Sequence, residues 1–405
     1  MVAQTDIKYY VHTNHKAPQL ENAYGSMLNV LDACLVNGFG SQTVDSLTAN
    51  GTTVTADFGK AHNLLRFQVI KIDGAIQDEF NGEHRILEVT TNTITFEIAQ
   101  PASVNYASGL INCSLPPLGW EKPFASENPN GGGKGAYRSK NTLLPNRPFL
   151  RVVDELDPSY NANWAKYAKV GMVEDMLDID TMMGQQIPFD VNNPQKNWVG
   201  NSTSNGWAKW YYALAFNENT SGYEQSTVSD GIRSWVMIGN QDWFFILNRF
   251  HTDESYNLRH VPMFFGKIED DYLNGSCLVS IPHDNYNTLE PYDMTGISYI
   301  EKESIYVSND LSLHHNKGYL NTSRKLASGR DDFMPAPSDD IPIISSSINI
   351  FNKKNVYRGY FPSVEFLYQK LPYQHLHTFK YKGKFKIAVG CMSYEDGMLL
   401  FGLGE

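Results

Sequence analysis

The feature that most constrains the fold of this 405-residue chain is a succession of short runs rich in Val, Ile, Thr and aromatic residues, each bounded by turn residues. The clearest pair is Ser234–Ile238 and Trp243–Leu247, joined by Gly239-Asn240-Gln241-Asp242. Both runs are apolar on both faces, whereas a strand with one solvated face alternates. The pattern predicts a hairpin in the middle of a sheet that is covered on both sides.

Similar runs recur through the rest of the chain. Beyond residue 113 they are Phe149–Val153, Tyr167–Val173, Trp207–Phe216, Pro262–Lys267 and Cys277–Ile281. Aromatic residues make up 13% and charged residues 19% of the chain, which is typical of a folded protein rather than a disordered one. We therefore predict a mainly β, multi-domain architecture of the sandwich or barrel type.

One helix is expected, close to the N-terminus. Apolar residues recur at helical spacing between residues 26 and 37, with Ser26 as a candidate N-cap and Gly38 just past the last apolar position. This helix has one apolar face, so we expect it to dock onto a sheet.

The runs between residues 42 and 112 are short and close together, with Asp73-Gly74, Asn81-Gly82 and Thr91-Asn92 as turn candidates. They predict a small inserted β-sandwich module at 42–112, similar in size to an immunoglobulin-like domain. The main β-rich domain would then be discontinuous, comprising 1–41 and 113–325. Residues 326–405 would form a C-terminal β-region that begins with a long connecting loop, 326–347.

A Pro/Gly-rich passage leads from Leu115 to Gly135. Its Gly131-Gly132-Gly133-Lys134-Gly135 segment is reminiscent of a phosphate-binding loop, but Asn128 and Gly135 stand where that motif requires Gly and Ser or Thr. We predict an extended loop without a cofactor.

The net charge of −11 argues against nucleic acid as a partner, because phosphate binding requires clustered Lys and Arg. Residues 341–405 contain eight Lys or Arg and four Asp or Glu, so they carry +4 and the remainder −15. This asymmetry is compatible with head-to-tail contacts between subunits or with an ordinary solvated surface. No run approaches the ~18 apolar residues of a membrane span, and the four cysteines are too scattered for a metal or redox motif. We expect buried thiols and a protein made and kept in a cytoplasm.

Glu174, Asp175, Asp178 and Asp180 form an acidic cluster that is suited to calcium or to paired catalytic carboxylates. An EF-hand loop would need Gly at 183 and Glu at 189, where the chain has Met183 and Phe189. We therefore favour a solvated or interface face.

Two histidine pairs, His314-His315 and His375-Leu376-His377, resemble metal-ligand pairs, but neither has a third ligand at a recognisable spacing. Ordinary packing or surface positions are favoured for all four residues, and we predict no metal site.

From Phe379 to Ile387 the odd positions around Gly383 are apolar and the even positions are Lys380, Lys382, Lys384 and Lys386. This pattern predicts a strand with one buried face. Its lysine row would either protect an exposed edge or dock onto an acidic neighbour.

Several motifs, taken in order, resemble a family of uncharacterised virion structural proteins from tailed bacteriophages. They are Leu28-x-x-Leu31-x-Ala33-Cys34-Leu35-Val36-x-Gly38-Phe39-Gly40-Ser41, Gly119-Trp120-x-Lys122-Pro123-Phe124, Ala136-Tyr137-Arg138, Phe149-Leu150-Arg151-Val152-x-Asp154, Asp178-Ile179-Asp180-Thr181, the 235–247 hairpin, Phe264-Phe265-Gly266-x-Ile268 and Arg358-Gly359-Tyr360-Phe361-Pro362. The chain departs from the family pattern in the inserted 42–112 segment, and in Ser363, where a Gly commonly follows the Pro.

The resemblance implies a non-enzymatic tail or baseplate component that is assembled into the virion in the host bacterial cytoplasm. Its partners would be copies of itself and other phage virion proteins. Besides the four lysines, the candidate interface residues are Trp120, Arg138, Arg151, Asp178 and Asp180, and the two arginines are expected to pair with acidic residues such as Asp178 and Asp180 in this chain or the next.

Two alternatives stay open. One is a receptor-binding or glycan-cleaving tail appendage that contacts a host surface glycan, which is suggested by the aromatic segment Trp207–Tyr212 together with the acidic cluster. The other is a head-decoration or neck protein.

Overall fold

A computed structural model describes residues 2–156, 165–187, 206–213, 228–250, 252, 260–269, 275–283, 295–298, 304–308, 343–352, 356–367, 373–391 and 397–405. The chain is mainly β, built from several antiparallel sheets with one α-helix among these residues. The predicted fold class is confirmed.

The N-terminal region consists of strand β1 (Lys8–Val11) and helix α1 (Ser26–Leu31), which continues as a π-helical turn over Asp32–Asn37. The predicted helix is therefore present, but Ser26 is not its cap. Gly25 occupies the N-cap position with φ 87°, and the Met27 N–H donates 3.0 Å to the carboxylate of Asp154 instead. Gly38 ends the helical segment with φ 70°.

Residues 39–115 form two four-stranded antiparallel sheets, ordered β2-β9-β5-β6 and β3-β4-β8-β7. The strands are β2 (Phe39–Thr43), β3 (Ser46–Asn50), β4 (Thr53–Asp57), β5 (Val69–Ala75), β6 (Gly82–Arg85), β7 (Glu88–Val89), β8 (Thr93–Glu97) and β9 (Gly109–Leu115). Among the described residues, none of them pairs with a strand outside this segment. The assignment of 42–112 as an inserted module, like the rest of the domain division, stays a prediction.

The turn candidates in this segment have different outcomes. Thr91-Asn92 connects β7 to β8, with the Thr90 N–H donating 2.8 Å to the Thr93 carbonyl. Asp73-Gly74 is not a turn. Both residues lie inside β5, opposite a bulge in β9. Gly74 has φ 83°, and a Cβ at this position would lie 2.1 Å from the Leu110 carbonyl oxygen, so only glycine fits there.

The prediction of an extended loop for the Pro/Gly-rich passage was wrong. The passage contains strands β10 (Trp120–Glu127) and β11 (Gly132–Ser139), which pair with each other. Its glycines allow close packing. A Cβ at Gly132 would lie 2.0 Å from the Asp154 carbonyl oxygen, and one at Gly135 would lie 3.1 Å from Leu28 of α1. These glycines allow the sheet to pair tightly and α1 to lie against it.

The sheet that begins with β10 and β11 continues through β12 (Phe149–Glu155) and β13 (Tyr167–Met176). Two further strands pair with the other edge of β13, namely β14 (Met182–Ile187) and β15 (Gly206–Tyr211). Strand β15 also pairs with β19, which links this sheet to the next.

The remaining strands form a long antiparallel sheet in the order β1-β16-β17-β18-β19-β20-β21-β22-β23-β26-β25-β24. They are β16 (Trp235–Gly239), β17 (Trp243–Asn248), β18 (Val261–Lys267), β19 (Ser276–His283), β20 (Thr295–Ser298), β21 (Ser304–Ser308), β22 (Ser345–Asn352), β23 (Tyr357–Leu367), β24 (His377–Tyr381), β25 (Lys384–Cys391) and β26 (Gly397–Gly404). Residues 326–342 of the predicted connecting loop lie outside the described residues. The serine run at its end is not loop but the start of β22.

The β16–β17 hairpin is buried on both faces, as its sequence predicts. Phe244 and Ile246 belong to the core shared with β10–β15 and α1, whereas Phe245 and Leu247 belong to a second core. The ring of Phe245 lies 5.4 Å from that of Phe361 on β23 and 5.3 Å from that of Phe401 on β26. The far end of the long sheet therefore folds back over the hairpin, and the two parts enclose the second core.

The 39–115 segment contacts the rest of the chain through shared apolar cores and through polar contacts with the N-terminal residues. Arg85 is only 2% exposed. Its guanidinium donates to the carbonyls of Gln4 at 2.6 Å and Ile7 at 2.9 Å, and to the carbonyl of Phe67 in the same segment at 2.7 Å. Lys8 forms an ion pair with Glu83 at 2.9 Å. The N-terminal residues therefore contact this segment on one side, and on the other side they join the long sheet through β1.

All four cysteines are buried and free, which confirms the expectation of buried thiols. Within the described part of the chain, no helix is both long enough and apolar enough to cross a membrane.

Candidate functional site

The four candidate lysines do not form one row. They lie on the β24–β25 hairpin, whose two-residue turn is Lys382-Gly383, both with positive φ. Lys380 pairs across the hairpin with Phe385, and its Nζ lies 5.0 Å from that ring. The prediction of a single strand was wrong, because a two-residue turn keeps the alternation of the sequence while moving Lys380 to the opposite face from Lys384 and Lys386.

Lys386 is already engaged within the chain. Its Nζ donates 2.6 Å to the carboxylate of Glu365 on β23, which also accepts a hydrogen bond from Ser345. Burial raises the pKa of Glu365, but the hydrogen bond and charge of Lys386 outweigh burial and hold that pKa below its ordinary value. Lys380, Lys382 and Lys384 are exposed and form no ion pair within the described residues, so they are the part of the group that can face a partner.

Strand β24 is an edge strand, since among the described strands it pairs only with β25. An exposed edge carrying lysines is protected against pairing with other chains. Both interpretations of the lysines, edge protection and docking, therefore stay predictions.

The acidic cluster serves the chain's own backbone and cations. The Asp178 carboxylate accepts from the Asp180 and Thr181 N–H groups at 2.9 and 2.8 Å, and its hydrogen bonds with Thr181 and Asp180 lower its pKa. Asp180 binds Lys134 and Arg151, each at 2.8 Å. The expected pairing of Arg151 with this segment is thus present within one chain.

Arg138 pairs elsewhere. Its Nε donates 2.9 Å to Glu121, and its guanidinium lies 4.5 Å from the ring of Phe149. Arg138 is half-buried and remains at the surface of the β10–β11 pair.

Trp120 is a core residue rather than a surface anchor. Only 1% of it is exposed, its indole N–H donates 2.9 Å to the Asn240 carbonyl, and its ring packs edge-on against Phe244 at 5.3 Å. It offers no surface to a second molecule, so it is not available as the interface residue that the sequence suggested.

The aromatic segment that suggested a sugar platform is also buried where its side chains are described. Trp210, Tyr211 and Tyr212 are each at most 1% exposed, and the Trp210 indole donates 3.0 Å to the Val279 carbonyl. The platform expected at Trp207–Tyr212 is therefore not formed by these three rings, which instead join β15 to the core.

The two histidines of the His375-Leu376-His377 pair point to different surroundings, because Leu376 between them has φ 65°. His375 stacks on buried His260 at 4.3 Å, whereas exposed His377 stacks on Tyr373 at 5.1 Å. The described residues contain no group of three or more potential ligands that could hold a metal. His314-His315 lies outside them.

The residue that sequence reasoning missed is Asp154, which lies fully buried beneath α1. Its carboxylate accepts hydrogen bonds from the Met27 N–H at 3.0 Å and from the Tyr212 hydroxyl at 2.9 Å. Burial raises its pKa to about 7, although these hydrogen bonds act in the opposite direction. Its place in the Phe149–Asp154 motif was the available signal, but an aspartate at the end of a strand gives no indication of burial.

A second aspartate, Asp32, anchors the other end of the α1 segment. Asp32 accepts from the Tyr137 hydroxyl at 2.7 Å and from Lys122 at 2.8 Å. Together, Asp154 and Asp32 fix both ends of the α1 segment to strands β10, β11 and β12, so the sequence motifs around Lys122, Tyr137 and Asp154 converge on the docking of one helix.

No model of a known protein family matches the chain, and no curated protein matches its sequence.

Proposed function

We propose that this chain is a structural component of a tailed-phage virion, located in the tail or baseplate, which works by packing against copies of itself and other virion proteins. The observation that carries the proposal is how the motif side chains are used. Trp120, Lys122, Arg151 and Asp154 all bind groups within the same chain, at Asn240, Asp32, Asp180 and the start of α1. These motifs therefore specify a shape, which is what a building block requires.

The surface offers material for contacts between subunits. Ile76 and Leu110 are exposed apolar residues, at 72% and 88%, at one end of the β5–β9 pair, and Tyr106, which is 73% exposed, lies just before β9 and bridges to Thr48 of β3. The Ile76 N–H donates 2.8 Å to the Ser108 carbonyl, so the two chain segments that carry these residues are directly joined. Clustered exposed apolar side chains are a common feature of protein interfaces.

Replacement of Leu110 by Asp tests whether this surface is used in assembly. We expect the variant to remain folded as a free chain, because Leu110 is exposed, and to be incorporated into particles less than the wild type. Leu143→Asp is the matched control, since Leu143 is 90% exposed in the connection between β11 and β12. Quantitative mass spectrometry of purified particles provides the measurement. Equal incorporation of the two variants would remove this surface from the proposal.

The glycan-cleaving alternative loses the features that motivated it, since the Trp210 ring is buried and Asp180 is bound by Lys134 and Arg151. A head-decoration or neck position differs from the leading proposal only in location. Antibody labelling of intact particles distinguishes these positions directly.

A further inference from the structure

A groove of about 450 Å³ lies on the outer face of the sheet formed by β22, β23, β26 and β25. The opposite face of these strands carries Phe366, Ile387 and Phe401, which point into the second core. Alternate residues on a strand point away from each other, so the neighbours of these core residues line the groove. Its volume is in the range of sites that bind small ligands.

The groove exists because β26 has glycines where side chains would otherwise stand. Met398 and Leu400 point to the outer face, the next position on that face is Gly402, and Gly404 also lines the groove. A Cβ built at Gly402 would meet only Ser363, at 3.8 Å or more. There is thus open space above Gly402, and a side chain introduced there would fill the groove without displacing the backbone.

Side chains of both charges, lysines and glutamates, line the groove. Lys386 is only 9% exposed and is held by Glu365 at 2.6 Å, with Ser345 2.9 Å from the same carboxylate. Lys384 and Glu405 also line the groove, so its charged side chains are two lysines and two carboxylates. This charge balance favours a neutral ligand that both donates and accepts hydrogen bonds.

One aromatic ring lines the groove, and others lie on the neighbouring strand β24. Tyr360, 37% exposed, lines one wall. Beyond the other wall, Phe379 and Tyr381 lie directly across the hairpin from Lys386 and Lys384, and therefore on the same face. Tyr373 stacks on Phe379 at 4.4 Å with nearly parallel planes, and both rings are half-buried.

We propose that this groove binds a neutral oligosaccharide. A sugar ring presents hydroxyls that donate and accept hydrogen bonds, together with an apolar C–H face that packs on aromatic rings, so it matches a groove lined by Lys384, Glu405 and Tyr360. An anionic ligand would need an excess of positive charge. A peptide added as a β-strand would need an unpaired edge, whereas β26 at the floor pairs with both β23 and β25.

The test is a ligand-observed NMR titration of the full chain with maltohexaose, cellohexaose and mannohexaose, and with hexagalacturonate as the acidic counterpart. We expect at least one neutral hexamer to bind with a Kd below about 1 mM. Gly402→Val should weaken that binding by at least about tenfold because its side chain fills the groove, and Lys384→Gln should weaken it by about tenfold, the effect of removing roughly one good hydrogen bond.

Lys380→Gln is the matched control, because Lys380 lies on the opposite face of the same hairpin, and its affinity should equal that of the wild type. Circular dichroism establishes that each variant is folded, and Lys384→Gln provides the test if Gly402→Val is not. Binding of none of the neutral hexamers, binding of hexagalacturonate alone, or binding that neither groove variant alters would each overturn the proposal. Since the titration uses the isolated chain, any of these results leaves the proposed structural role untouched.

Discussion

Replacement of Arg85 by Met removes two hydrogen bonds that join the 39–115 segment to the N-terminal residues, and a third within the segment. The guanidinium makes three hydrogen bonds to the carbonyls of Gln4, Ile7 and Phe67, and only 2% of the side chain is exposed. Met retains the length and packing of the side chain but cannot donate. The three carbonyls would then lose their donor at a partly buried position.

The size of the effect follows from two opposing contributions. Three hydrogen bonds from a charged donor are worth about 4–9 kcal/mol in total. Burial lowers the pKa of Arg85 to about 10, so the fold disfavours the charge by about 3 kcal/mol, and the Met variant is relieved of this penalty. The difference between the two contributions is a reduction in the free energy of unfolding of about 1–6 kcal/mol for Arg85→Met.

Urea unfolding followed by circular dichroism measures the loss, and hydrogen exchange of the N-terminal residues shows where it occurs. Arg66→Met is the matched control. Arg66 lies in the same segment and pairs with Glu88, but 44% of its side chain is exposed, so its removal should change stability by less than about 1 kcal/mol. If Arg85→Met left both the stability and the exchange of residues 4–7 unchanged, the N-terminal residues would not be what holds this segment in place.

Three further variants test local features. Ser363, inside β23, has φ 54°, a conformation that favours glycine, so Ser363→Gly should raise stability by about 0.5–1 kcal/mol in thermal denaturation, and a decrease would contradict backbone strain at this position. The pKa of buried Asp154 is raised to about 7, so as the pH rises the unfolded chain loses this proton at a lower pH than the folded chain does. Stability should therefore fall as the pH rises from about 4 to about 7, and in urea unfolding across this range the stability of Asp154→Asn should depend less on pH than that of the wild type. Burial and the nearby His12 and Arg249 lower the pKa of His375 to about 4, so stability should fall as the pH drops from about 6.5 to about 4; His375→Phe, which preserves the stack on His260, should reduce this loss, and an unchanged pH profile would refute the assignment.

The sequence was most informative where one element determines its own structure. The 235–247 hairpin was predicted to within a residue or two, because an apolar run on both faces has few solutions other than a strand in mid-sheet. The helix near residue 26 was predicted for a similar reason. Its cap was not, since Asp154 reaches it from a strand 127 residues away in sequence.

Two of the errors share one physical cause, namely partners distant in sequence, whereas the third has a local cause. The glycines at 131–135 indicated a loop, because nothing nearby in sequence shows that Asp154 and Leu28 pack against them. Trp120 was taken for a surface anchor because its partner, Asn240, lies 120 residues further on. The lysine pattern from 380 to 386 was misassigned by a single turn, since alternation alone does not distinguish a strand from a tight hairpin.

The proposed function is tested most directly by electron cryo-microscopy of purified virions of the tailed phage that we propose as the source of this chain. We expect repeated copies of a density that fits the two four-stranded sheets of 39–115 and the long sheet with its buried hairpin, located in the tail or baseplate. Particles that lack this density, from infected cells in which the chain is abundant, would contradict a structural role in the virion.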